Sequence, residues 1–137
     1  MKISQIRAAI AADPALKKYA DAGNTQAIAD ALSAGRTQLG EIATTTFAAW
    51  AAETGMRATI EDLAATLTSP LRASALTLRD VLVGGAPCID MARDGNQRVL
   101  AAWLAAGAIS DKNYAALIAL ATWPDPVSHT QVGEAIK

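Results

Sequence analysis

Leu71-Arg72-Ala73-Ser74-Ala75-Leu76-Thr77-Leu78-Arg79-Asp80-Val81-Leu82-Val83-Gly84-Gly85 is the stretch from which the fold can be read. Leu71, Ala75, Leu78 and Leu82 recur at three- and four-residue spacing, which is the period of one helix face. Ser69-Pro70 in front supplies an N-cap and then a proline, whose fixed φ suits a first helical turn. Gly84-Gly85 behind stops the helix, because the residue after a helix end usually takes positive φ. Starts and stops of this kind punctuate the rest of the chain.

Towards the N-terminus, Ile3, Ile6 and Ile10 mark one face of a first helix behind Ser4. Asp13-Pro14 opens a second helix that Gly23 stops. Asn24 caps a third, carrying Ile28 and Leu32 and ending at Gly35. Residues 36–43 are ambiguous, and Thr44-Thr45-Thr46 is compatible with strand because β-branched side chains lose rotamer freedom in helices. A loop running into a helix is preferred, since Phe47, Trp50 and Ala51 continue at helical spacing to Gly55. Ile60, Leu63 and Leu67 mark the next helix.

Towards the C-terminus, 84–96 reads as the longest loop, with Pro87, Cys88 and the turn-prone Asp94-Gly95-Asn96. Asp94 or Asn96 caps a helix through Trp103 and Leu104 to Gly107. Ser110 caps another with Tyr114, Leu117, Ile118 and Ala121 in phase, and Trp123-Pro124-Asp125-Pro126 breaks it. Ser128 and Gln131 have capping-box spacing and open a last helix with His129, Val132 and Ile136 on one face. No strand finds a convincing partner. The expected fold class is all-α: a compact bundle of eight or nine short helices. It forms a single alanine-rich helical domain over 1–137, with a long internal loop at about 84–96.

Alanine fills 33 of the 137 positions, within a hydrophobic fraction of 52% and a charged fraction of 18%. Disorder needs the opposite balance, and one cysteine cannot build a disulfide scaffold. Twelve basic residues nearly cancel thirteen acidic ones, so no global attraction to nucleic acid or to an acidic membrane is expected. The longest uncharged stretches, Val99–Ser110 and Asn113–Pro124, are far shorter than the roughly 20 residues of a membrane span. The segment Met1–Arg7 lacks the apolar core of a secretory signal. Synthesis in the cytoplasm follows as the expectation. Alanine has the highest helix propensity and lets helices approach closely, so its excess predicts closely packed short helices around a modest core.

Gly23–Gly35 aligns without gaps to Gly95–Gly107, with six of thirteen positions identical. An old duplication would produce this. So would any two capped, alanine-rich amphipathic helices, and two copies fall short of the three or more that a solenoid needs.

No constellation for catalysis emerges. His129 and Cys88 are the only residues of their kinds, with no His-x-x-x-His or Cys-x-x-Cys spacing for a metal. There is no Gly-x-Ser-x-Gly elbow, and no phosphate loop at Gly35 to Gly40 or at Gly84-Gly85. The expectation is a non-enzymatic chain with no catalytic residue, no cofactor and no metal. Glu61-Asp62 suits the positive end of a helix dipole better than acid–base work. His129 is expected at a helix start, partly covering the core.

Residues 59–79 have the rhythm of a helix-turn-helix, with Arg72, Ser74 and Arg79 as the readers of DNA. The turn lacks glycine and the charge is near neutral, which favours two antiparallel core helices instead. Trp50 and Trp103 lie on alanine-rich helices and are expected in the core. Trp123 falls beyond a helix end, before Pro124 and Pro126. Those three residues are the candidate partner-binding site.

Leu100–Ser110, continuing through Leu117–Ala121 to Pro124–Ser128, resembles small alanine-rich proteins encoded among the structural genes of tailed bacteriophages. Asp13–Leu16 and Asp21–Asn24 are similar too, and the likeness spans about half the chain. It implies a virion component of the tail, baseplate or neck, made in the host cytoplasm, and carries over no functional residue. Its partners would be other protein subunits of a larger assembly, with neither membrane nor nucleic acid. The alternatives are a small regulatory or inhibitory protein that binds a host protein, and a helix-turn-helix regulator.

Overall fold

The computed structural model of the protein describes residues 1–137. The chain is mostly helical, with 64% of it in nine helices. These are α1 (Ile3–Ala12), α2 (Pro14–Asp21), α3 (Thr25–Ser33), α4 (Thr44–Glu53), α5 (Met56–Ala65), α6 (Arg72–Leu82), α7 (Asp94–Ala105), α8 (Asp111–Leu120) and α9 (His129–Ala135). Four three-residue strands join them: β1 (Thr37–Leu39), β2 (Glu41–Ala43), β3 (Cys88–Asp90) and β4 (Thr122–Pro124). No helix is long and apolar enough to cross a membrane.

Where the sequence suggests one helical domain over 1–137, the contacts group the chain into two compact units. One comprises Met1–Gln38 and Pro124–Lys137, the other Leu39–Trp123. The first has its own core of Ile6, Ile10, Leu16, Ile28, Val127 and Val132 with two alanines. α9 closes this core against α1 and α3. Arg7 Nε donates to Ala135 O at 2.9 Å, placing a cation at the negative end of α9. Ser33 Oγ accepts from Val127 N at 2.8 Å, and Arg36 pairs with Asp125.

The second unit builds a larger core around Phe47, Trp50, Ile60, Met91, Trp103 and Leu117. The rings of Phe47 and Trp50 stack with centroids 5.4 Å apart. Both buried indoles have a partner for the N–H: Trp50 Nε1 donates to Asn113 O at 3.2 Å and Trp103 Nε1 to Ser74 Oγ at 2.8 Å. Trp50 and Trp103 are thus core residues, as the sequence suggests.

The strands correct the purely helical reading. β2 pairs antiparallel with β3, setting Glu41 opposite Asp90, Ile42 opposite Ile89 and Ala43 opposite Cys88. Strands this short show no alternation in sequence. They are held by Ile42 and Ile89, which both turn into the core. The loop expected at 84–96 is accordingly shortened by β3 and by the start of α7 at Asp94.

Caps are where sequence and structure agree best. Asp13, Asn24, Ser110 and Ser128 each accept a backbone N–H of the helix they open. Gly23, Gly35 and Gly107 take positive φ just past the ends of α2, α3 and α7. Other boundaries move. Ser4 lies inside α1, whose N-cap is Lys2. α6 begins at Arg72, and Ser69 Oγ instead accepts from Leu71 N within the preceding turn. The N-cap of α7 is Arg93, while Asn96, already helical, donates from Nδ2 to Asp90 O at 2.7 Å. Asn24 and Asn96, matched in the 23–35 and 95–107 alignment, therefore do different work. Leu67 falls beyond α5 and is 80% exposed.

Alanine is not mainly a packing residue here. Only six alanines are buried, and twenty-one of the 33 are exposed. The cores are filled by the few large side chains, and alanine forms smooth, uncharged outer faces on the helices.

Candidate functional site

Trp123 is 51% exposed, the most exposed of the large aromatic side chains. It is nevertheless held in place. Its Nε1 donates to Glu41 O at 3.2 Å, and its ring lies against Gly40. A Cβ on Gly40 would stand 2.7 Å from Trp123 Cδ1, so only glycine allows this approach. Gly40 is itself tied on both sides: its N–H donates to Ala121 O at 2.8 Å, and its O accepts from Met91 N at 3.0 Å. A rigid backbone thus seats a half-exposed indole.

Glu41, Ala43, Pro87 and Cys88 complete an open groove beside it. The residue alternation of a strand produces this surface. Ile42 and Ile89 point inwards, so Glu41, Ala43, Cys88 and Asp90 share the outer face of the β2–β3 ladder. Thr44 fixes the floor by donating from its backbone N to Pro87 O at 3.0 Å and from Oγ1 to Ala86 O.

The Cys88 thiol is pushed up from its ordinary value, first by burial and then by the Glu41 carboxylate, which acts through its charge and as acceptor of the thiol proton. Asp90 adds to the rise and Arg93 opposes it. Cys88 is therefore a protonated, weakly nucleophilic thiol at neutral pH. Iodoacetamide should alkylate it more slowly than free cysteine at mildly alkaline pH, and Glu41→Gln should speed the reaction. Equal rates in the two proteins, followed by mass, would contradict this assignment. The raised value also means that the fold favours the protonated thiol. The contribution of this thiol to stability is fully present below the ordinary thiol range and is lost as pH rises from there through the raised value.

Of the residues singled out in sequence, Trp123 lies in this groove. Pro124 and Pro126 are exposed but belong to the other compact unit and do not line it. His129 stands exposed at the first position of α9 rather than over the core. No group of three or more His, Cys, Asp or Glu side chains is placed to hold a metal. Two of the three candidate DNA readers are bonded internally: Arg72 Nε donates to Ala64 O at 3.2 Å, and Ser74 Oγ accepts from Trp103. The second unit also has a small, partly open void of about 20 Å³ among Phe47, Leu78, Met91, Val99, Leu100 and Leu117, room for about one water.

Sequence reasoning missed Gly40, Glu41, Pro87 and Cys88. They reach Trp123 only through strand pairing and the return of the chain at β4, neither of which has a local signal. No protein-family model, curated protein or solved structure matches the chain.

Gly40→Ala tests the seat of the indole. The added methyl overpacks the contact, for a cost of about 1–3 kcal/mol. It should also expel the ring from Glu41 O, seen as a shifted Trp123 indole N–H resonance. An unmoved resonance would mean that the contact is not what holds the ring.

Proposed function

We propose that the chain is a non-enzymatic structural or interaction protein, a component of a tailed-phage particle in the tail, baseplate or neck. The observation that carries the reading is the distribution of alanine. Sixteen exposed alanines on the helices and a charged fraction of only 18% give helix faces that are smooth and weakly hydrated. Such faces fit against neighbouring helices at short distance and lose little side-chain entropy on being covered. Trp123 adds a fixed aromatic anchor of the kind that dominates protein interfaces, because its ordering is completed before a partner arrives.

The mechanism on this reading is packing: short rigid helices present faces and one anchored groove to other protein subunits. Quantitative mass spectrometry of purified particles tests it. The protein should be present in a fixed ratio to the other virion proteins. Its absence from particles, with the protein abundant in the infected cell, would overturn the virion role and leave a binder of a host protein.

A further inference from the structure

The outer face of the β2–β3 ladder contains an unresolved electrostatic conflict. Glu41 and Asp90 stand directly opposite each other in the antiparallel register. Like charges in that position repel, and the pair should destabilise the ladder. Asp90 is partly compensated: its Oδ1 accepts from Ala92 N at 2.9 Å, and its Oδ2 lies 3.6 Å from Arg93 Nε, on a side chain that is itself 78% exposed. Glu41 forms no ion pair. The Cys88 thiol shares this outer face beside the pair, opposite Ala43, and adds no positive charge to offset the two carboxylates. Beside the unpaired carboxylate lies the half-exposed indole of Trp123, whose ring face also attracts cations.

We propose that this groove takes an extended segment of a partner protein, which lays an arginine side chain along Trp123 and against the Glu41 carboxylate. Charge complementarity selects the occupant. Guanidinium is planar, stacks on an aromatic ring and bonds a carboxylate through two N–H groups, whereas ammonium offers a compact point charge. A phosphate backbone would be repelled by Glu41 and Asp90. Ala43 and Pro87 provide apolar contact for the residues flanking the arginine, but too little for an amphipathic helix.

The inference rests on the reading of the chain as an interaction protein, and a different experiment tests it. A displayed library of random heptapeptides is panned against the whole protein. Selected peptides should be enriched in arginine at one position. A synthetic copy should bind about tenfold more weakly when that arginine is replaced by citrulline, and when the protein carries Glu41→Gln or Trp123→Ala. Glu41→Gln removes a repulsion and so keeps the fold, which leaves the test valid if Trp123→Ala is unstable. Selection of no peptide, of peptides without arginine, or of peptides indifferent to citrulline or to Glu41→Gln would each overturn the proposal. None of these results bears on the particle composition, which decides the underlying reading separately.

Discussion

Trp103→Ala is expected to cost about 3–5 kcal/mol, the range for removing a large buried aromatic side chain. A domain of this size has only about 5–15 kcal/mol to lose. Trp103 is 1% exposed, so almost the whole side chain becomes a cavity. The loss has a second part. Trp103 Nε1 donates to Ser74 Oγ, which in turn donates to Leu71 O at 2.9 Å, so the indole tethers α7 to the first turn of α6. Trp103→Phe keeps most of the apolar volume and leaves Ser74 without that donor, for about 1–2 kcal/mol. Chemical denaturation should show both variants with lower midpoints and unchanged slopes. A cost below about 1 kcal/mol for the alanine variant would mean that the second unit does not depend on this packing.

Ile28→Ala should give an effect of about 2–5 kcal/mol, but in a different place. Ile28 is fully buried in the smaller core, which has only six large apolar residues and two alanines. Trp50, Trp103 and Trp123 all lie in the other unit, whereas Tyr19 belongs to this one. Helix loss followed by far-ultraviolet circular dichroism should therefore begin at lower denaturant. The transition followed by tryptophan emission should stay close to that of the native protein. Coincident displacement of both signals would show that the two cores melt as one cooperative system, contrary to the expectation from their separate packing.

The caps show why so much of the helix order was legible. Asp13, Asn24, Ser110 and Ser128 act on N–H groups within three residues of themselves, so their effect is written in adjacent sequence. Ser4 and Ser69 show the limit of that logic. A capping residue marks where a helix can begin, and packing of the next turn selects among the possible starts. Leu67 makes the same point for periodicity: it is in phase with Ile60 and Leu63, yet the helix ends before it and leaves it exposed.

The candidate site was legible in one residue. Trp123 stood out as a large side chain past a helix end, next to prolines. Its seat on Gly40 and its neighbours Glu41 and Cys88 did not, because they come from distant segments brought together by a three-residue ladder. Alanine was misread for a related reason. Propensity says that alanine favours a helix, but not which face of the helix it will occupy.

Composition, period and capping by themselves determined a mostly helical chain of short, punctuated segments, because those forces act within about one helical turn. The division into two cores, the outward placement of alanine, the pairing of β2 with β3 and the groove at Trp123 were decided by tertiary structure. Each depends on which distant apolar side chains bury one another, and burial is non-directional and carries no mark in the local sequence.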